Sequence, residues 1–428
     1  MTEINGRREF LGTSLASLAA FAWPGCLAAA DPTISETDSV PKPEETPAAT
    51  DSMFLTWQQD PTTTMTVQWV GEDVGRTKIE YSVLSDKEDE DWKSAKTELK
   101  DYPDTDLRVH RCELTGLRPG TEYQFRVGDE QKLRRFRTMP ATATNTLQFV
   151  SGGDAGTGSH AIGTNILAAK QEPYFAFIGG DLAYDNGSSP RTFLRYLRNY
   201  SEHMIDPKGR MIPMLACIGN HEVKGGYKGK RQNAGSYLSV FDGFYPEKTF
   251  GVLDIGDYMS LVLLDTGHIA PINGEQADWL EQTLADRQDR QHLIVANHVP
   301  AYPSHRPWAH DTNAGTGADN RKYWSPLFEK YKVDVVLEHH DHTFKRTHPM
   351  MDGQINQNGV LYLGDGSWGK LRPLKSPELR PYLAAYGSSY HCTVHRFEGN
   401  QRFHVALEES GKVADVCMTV SKRPSKRG

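Results

Sequence analysis

Cysteine is scarce. Five occur in 428 residues and none stands in a CxxC pair, so thiolate ligation of a metal has no support. Cys26 lies near the start; Cys112, Cys217, Cys392 and Cys417 remain, and four cysteines allow three pairings between which the sequence does not choose. A surplus of positive charge is also missing. Lys and Arg number 48 against 55 acidic residues, a formal net charge of −7, which removes the electrostatic basis for nucleic-acid binding. Long undiluted apolar runs are lacking too. The uncharged stretch 10–30 is broken by Gly, Ser, Thr and Pro24, a composition that makes a poor membrane anchor. What is present is a chain with 38% hydrophobic residues, long enough for two domains plus tails, and sixteen histidines that cluster late.

Residues 1–30 read as a targeting segment. Arg7-Arg8 precedes the weakly apolar stretch, and Leu27-Ala28-Ala29-Ala30 offers a small-residue cleavage site, a pattern that resembles a twin-arginine export signal. The expected location is periplasmic or extracellular, with no stable membrane span in the mature form. Cys26 after Gly25 hints at lipid anchoring, but Trp23-Pro24 is a bad lead-in for that processing. Residues 31–51 are rich in Pro, Thr, Ser and acid and read as a disordered linker. Residues 421–428 (SKRPSKRG) read as a basic, disordered tail.

Between these ends two rhythms alternate. Over 52–139 the pattern is all-β: 65–70 (MTVQWV) and 77–83 (TKIEYSV) alternate with period two. Gly116-Leu117-Arg118-Pro119-Gly120-Thr121-Glu122-Tyr123 then leads into a strand, which resembles a fibronectin type III module. Over 146–420 the rhythm becomes α/β. Apolar runs recur at 147–150, 174–178, 211–218, 259–264, 292–296 and 333–337, with amphipathic stretches such as 274–285, whose Trp279, Leu280 and Leu284 share a helical face.

Five of those runs stop at residues able to bind a metal. The first two end in Gly-Gly-Asp, giving Asp154 and Asp181, with Tyr184 three residues on. A strand that stops at glycines can turn sharply and free the next side chain at the sheet's C-terminal edge, where open α/β sheets place ligands. The others run into Asn220-His221-Glu222, Asn297-His298, and His339-His340-Asp341-His342. In extended backbone, His340 and His342 place their rings on one side. Each piece alone has a plainer reading: an Asp capping the next helix, a satisfied core histidine at His298, a turn residue at Asn220. Five such strand ends together favour a metal site.

These motifs resemble the purple acid phosphatases of the calcineurin-like metallophosphoesterases, whose signatures GDxG, GDxxY, GNHE, xxxH and GHxH occur in that order. Here they stand as Gly153–Gly156, Gly180–Tyr184, Gly219–Glu222, Val295–His298 and His339–His342; the departure is His339 in place of Gly. The resemblance implies two mixed β-sheets flanked by helices, preceded by a smaller all-β fibronectin-like sandwich. It implies a binuclear centre: Asp154, Asp181, Tyr184 and His342 on one ion, and Asp181, Asn220, His298 and His340 on the other, with Asp181 shared. Two carboxylates and a phenolate suit Fe(III); an amide and two imidazoles suit a divalent partner, Fe, Zn or Mn. The implied activity is an acid phosphatase hydrolysing phosphomonoesters of small molecules by metal-activated hydroxide attack. A phosphodiesterase or nucleotide hydrolase on the same scaffold is the alternative, and a non-catalytic surface-binding protein a third. His221 would contact the phosphate or its leaving group, and His305, favoured over His310, would assist with Arg306 beside it as a phosphate contact. Residues 313–320 and 364–369 would line the rim, and His339 would add a side chain beside the metals. Nothing in the sequence decides the oligomeric state.

Overall fold

The computed structural model describes residues 50–423 apart from 76, 86–90, 144–146 and 310–313. The export segment, most of the linker, His310 and residues 424–428 therefore lie outside the described residues.

The described residues begin with eight short strands. They are β1 (Phe54–Thr56), β2 (Met65–Gly71), β3 (Lys78–Val83), β4 (Lys93–Lys96), β5 (Glu98–Asp101), β6 (Arg108–Leu114), β7 (Glu122–Val127) and β8 (Arg134–Arg137). They form two four-stranded antiparallel sheets, ordered β1-β2-β6-β5 and β4-β3-β7-β8. Alternation explains the packing: Tyr123, Phe125 and Val127 on β7 are buried, and Tyr123 stacks on Phe136 of β8 at 5.3 Å. The Pro119-Gly120 turn is closed by the Tyr123 hydroxyl, which accepts from the Arg118 amide at 2.8 Å. Polar contacts weld this sandwich to the larger α/β part of the chain. Gln68 donates to the Val240 carbonyl, Arg111 pairs with Asp242 at 2.7 Å, and Arg210 pairs with Glu122 at 2.5 Å.

Two larger mixed sheets complete the chain. Strands β9 (Gln148–Gly152), β10 (Ala176–Ile178) and β11 (Met214–Ala216) run parallel. The next seven are β12 (Gly251–Ile255), β13 (Met259–Leu263), β14 (His292–Ala296), β15 (Val335–Glu338), β16 (Phe344–Thr347) and the small hairpin β17 (Met350–Met351) with β18 (Gln354–Ile355). The last five are β19 (Leu361–Asp365), β20 (Leu383–Gly387), β21 (His391–Glu398), β22 (Gln401–Glu408) and β23 (Val413–Val420). One sheet has the order β11-β10-β9-β21-β22-β23, the other β12-β13-β14-β15-β19-β16-β20. On β14, Ile294 and Ala296 enter the core shared with the first sheet, whereas Leu293 and Val295 enter a second core under the helices. A strand buried on both faces reads as a continuous apolar run, which is why 292–296 shows no alternation. Helices α1 (Ser159–Ala169), α2 (Pro190–His203), α3 (Gly235–Phe241), α4 (Glu275–Ala285) and α5 (Ser325–Lys330) flank the sheets. Leu280 and Leu284 of α4 are buried as expected, while Trp279 is only partly buried and packs on Phe250 at 4.8 Å.

Order reaches further into both ends than their composition implies. Asp51, placed in the linker, pairs with Arg198 at 2.8 Å, and Thr50 is buried and donates to Glu130. At the other end, Arg423 reaches the buried Asp334 carboxylate at 3.1 Å and the carbonyls of Tyr331 and Lys332. Specific partners supply what composition alone could not. Cys112 and Cys217 are buried free thiols.

Candidate metal centre

All seven expected ligands lie beyond the C-terminal ends of parallel strands: Asp154 after β9, Asp181 and Tyr184 after β10, Asn220 after β11, His298 after β14, His340 and His342 after β15. The first three strands belong to one sheet and the last two to the other, so the site spans the edge where the sheets face each other.

The turns that free these side chains are not made by glycine alone. Asp154, Asp181, Tyr184, His340 and His342 all have left-handed backbone, with φ between 53° and 75°. Such residues cost about 1–2 kcal/mol each, a strain that persists only where surroundings enforce it. The expectation that His340 and His342 sit in extended backbone is thus corrected: both occupy a bend between β15 and β16. The doubled glycines serve a different purpose. A Cβ on Gly152 would overlap the Trp368 ring, and one on Gly153 would come within 2.7 Å of His339. A Cβ on Gly179 would overlap the same imidazole. Only Gly180, at φ +86°, supplies a turn that other residues resist. Nor does either Asp cap a helix; the residue before α1 is Gly158.

The side chains fall into two clusters. In one, Tyr184 Oη lies 3.1 Å from Asp154 Oδ1 and 3.0 Å from His342 Nε2, and His342 Nε2 lies 3.0 Å from the same Asp154 oxygen. In the other, His298 Nε2 lies 3.2 Å from Asn220 Oδ1, 3.0 Å from His340 Nδ1 and 3.3 Å from Asp181 Oδ2. Ligand atoms of Asp154, Asp181, His298 and His340 fall within 4.8 Å of one another, and all four residues are buried. Asp181 Oδ2 has no hydrogen-bond partner although it is buried, while its Oδ1 accepts the His221 amide at 2.8 Å. A buried carboxylate oxygen whose nearest donor is an imidazole 3.3 Å away, with no hydrogen bond of good geometry, is costly unless a cation meets it. The donor set therefore fits a pair of metal ions.

The electrostatics agree. Burial pushes the Asp181 carboxyl up, but the imidazoles of His298, His221 and His340 outweigh it and hold it below the usual range. Burial pushes His298 down, yet Asp181 lifts it to about 9. Burial, followed by the charges of Asp154 and Asp181, raises the Tyr184 phenol well above its ordinary value. A phenolate at that position requires positive charge close by.

Several contributors escaped the sequence reading. Glu222 is buried and accepts three backbone amides, from Asp181 and Leu182 at 2.7 Å and from Gly219 at 2.8 Å, so it ties two ligand turns together. Tyr227 Oη lies 3.3 Å from His340 Nε2, and the buried His268 faces the His298 ring at 5.6 Å. Only Glu222 had a signal, its place in GNHE.

His221 lies against Tyr184, ring centroids 4.2 Å apart, with Nδ1 on the Asn186 side-chain oxygen and Nε2 3.9 Å from Asp181 Oδ2. His305 turns its Nδ1 to the Pro373 carbonyl at 2.7 Å. His339, expected beside the metals, is buried with its Nδ1 3.0 Å from the Asn297 carbonyl and its ring 5.7 Å from Phe177. Of the expected rim, Gly366 borders the centre: a Cβ there would lie 3.0 Å from Asp154 Oδ2.

The fold and this ligand set define a calcineurin-like metallophosphoesterase. Residues 50–149 match the family described as purple acid phosphatase, N-terminal domain, and residues 153–344 match calcineurin-like phosphoesterase. "Acid phosphatase type 7" of Homo sapiens is 26% identical over 346 residues, covering 72% of this chain and 76% of that protein. "Purple acid phosphatase 21" of Arabidopsis thaliana is 22% identical, covering 74% and 73%. Among solved structures, purple acid phosphatase PPD1 from yellow lupin (Lupinus luteus) seeds superposes with a TM-score of 0.69 at 19% identity, over 86% of this chain and 73% of that one. The chain belongs to the purple acid phosphatases and is a metal-dependent phosphoesterase.

Proposed function

We propose that this phosphoesterase is an acid phosphatase acting on phosphomonoesters, exported through the twin-arginine segment 1–30. Asp154, Tyr184 and His342 would hold Fe(III), Asn220, His298 and His340 a divalent ion, and Asp181 both. The observation that carries this reading is Tyr184: a half-buried phenol 3.1 Å from a carboxylate and 3.0 Å from an imidazole, a hard anionic set suited to a trivalent ion. The names of the human and Arabidopsis relatives support the substrate class. When bound, the ions polarise the phosphoryl oxygens and make water a competent nucleophile at acid pH. The residues do the rest. Glu222 fixes the turns of Asp181 and Gly219, so the donors need not reorganise when a phosphate arrives. Asn186 Oδ1 accepts from His221 Nδ1 and leaves Nε2 on the Asp181 side, where the doubly protonated ring can deliver its Nε2 proton to the departing oxygen. His305 remains the second candidate for that duty.

The test is hydrolysis of alkyl and nitrophenyl phosphates by the metal-loaded protein and its His221→Ala variant. The variant should keep both metals and lose on the order of 10²-fold in turnover with alkyl phosphates. It should lose far less with nitrophenyl phosphate, whose leaving oxygen barely needs a proton. A wild type that holds two metals yet releases no phosphate from either ester would overturn the proposal.

A further inference from the structure

We infer that Arg306, positioned by Asp341, contacts the second negative charge of a phosphomonoester and sets a preference for monoesters over diesters. The inference rests on the phosphatase reading above.

Asp341 stands between the ligands His340 and His342, but its carboxylate serves a different loop. It is buried, and its Oδ2 accepts from the Ser304 amide at 2.5 Å, the His305 amide at 2.7 Å and the Ser304 hydroxyl at 3.3 Å. The loop it grips comes after the ligand His298 and ends at Arg306. Arg380 holds the same loop from the other side, donating to the carbonyls of Pro303 at 2.5 Å and Arg306 at 2.9 Å. The backbone that carries Arg306 is therefore fixed by two charged groups, and one of them sits inside the metal-ligand motif itself.

The arginine's own charge is only partly used. Its Nε lies 3.7 Å from Asp341 Oδ1, too long for a hydrogen bond, and both atoms are buried with no hydrogen-bond partner. The side chain is 21% exposed, so the guanidinium keeps a way to solvent and to a ligand. Asp341 lies between His340 and His342 in the chain, so the Oδ1 that faces Nε sets the guanidinium beside that ligand segment. On the Tyr184 side the facing cation is Lys370, whose Nζ lies 4.7 Å over that ring.

A guanidinium is a planar fork that matches two phosphoryl oxygens and stays charged at every working pH. A monoester dianion has three terminal oxygens, so with two given to the metals it still offers the guanidinium one charged oxygen. In a diester one of the three is esterified, so the fork loses a charged acceptor and meets bulk instead.

The experiment compares nitrophenyl phosphate with bis(nitrophenyl) phosphate, which share a leaving group, in wild type, Arg306→Ala, Arg306→Lys and Asp341→Asn. Metal content and calorimetric binding of inorganic phosphate are measured on the same preparations. Arg306→Ala should keep its metals and lose about 10²-fold in kcat/KM for the monoester, mainly through KM, the scale of a charge-assisted hydrogen bond. The diester should lose less than about 5-fold by the same reasoning, and inorganic phosphate should bind more weakly. Arg306→Lys should recover part of the monoester loss. Asp341→Asn can still accept from the loop amides but lacks the charge facing Nε, so it should raise the monoester KM with metal content unchanged. Equal losses on both esters with metals retained, or unchanged phosphate binding in Arg306→Ala, overturn the inference and leave the phosphatase reading standing. A wild type inactive on both esters defeats the phosphatase reading first, and this inference with it.

Discussion

Replacing Glu222 tests whether the centre is held together by a residue outside the expected ligand set. Its two oxygens accept three buried amides, those of Asp181, Leu182 and Gly219, at 2.7–2.8 Å. Each buried amide left without an acceptor costs about 1–3 kcal/mol, so Glu222→Ala should destabilise the chain by about 3 kcal/mol or more. The loss is offset in part: burial first, then the Asp181 and Asp185 carboxylates, push the Glu222 carboxyl upward, and removing its charge relieves that repulsion. Glu222→Gln separates the two effects. Its carbonyl can keep the Asp181 and Gly219 amides, while the new NH2 faces the Leu182 N–H, so the cost should be about 1–2 kcal/mol. Metal affinity should fall in the same order. Asp181 stands at φ 53°, and without the bond to its amide the turn can relax toward ordinary backbone, carrying its carboxylate away from both ion sites. Urea unfolding monitored by circular dichroism gives the stability differences, and equilibrium dialysis with elemental analysis gives the metals. If Glu222→Ala unfolds within about 1 kcal/mol of wild type and retains two metals, Glu222 does not brace the centre.

Tyr184→Phe should leave the fold intact and remove any visible absorption of the metal-loaded protein; a colourless wild type containing only zinc or manganese would refute the iron assignment. Asp181→Ala should lose both metals, whereas His298→Ala, whose imidazole meets Asn220 and His340, should lose mainly one, and equal loss in the two variants would contradict the division of ligands. Burial and the Arg402 and Arg423 charges push His292 down to about 3, and burial with His395 and Arg402 pushes His404 well below the ordinary histidine range. Both are thus neutral when folded but take a proton when unfolded, so stability should be flat above about pH 6.5 and fall toward pH 3 by up to about 1.4 kcal/mol per pH unit for each. Urea midpoints from pH 7 to pH 4 should show this slope, and His292→Asn should reduce it; a midpoint independent of pH would refute it.

The candidate ligands were legible in the chain of residues alone, because each marks a local event. An apolar run must stop, at glycine before Asp154, Asp181 and Asn220, and the next polar side chain must be of ligand type. Asp154, Asp181, Asn220, His298, His340 and His342 could be picked out for that reason, and the change from period two to mixed α/β rhythm marked where the sandwich ends. How those residues are held was settled only in the folded molecule. Left-handed backbone at Asp154, Asp181, Tyr184, His340 and His342 carries only a weak signature: Asp and His enter that region more often than most residues, Tyr does not, and the strain is sustained by contacts from elsewhere. Gly153 and Gly179 look like turn residues in the sequence because the ring they make room for, His339, lies 160 or more positions further along the chain. Glu222 acts only because β10 and β11 lie side by side and bring the amides of Asp181 and Gly219 to one carboxylate. Asp341 sits in the middle of a ligand motif, yet its side chain grips the loop after β14, which neighbours β15 only in the folded sheet. Spacing along a chain fixes which side chains can share a turn, but which distant backbone they brace depends on strand order, and that is set by the packing of the whole core.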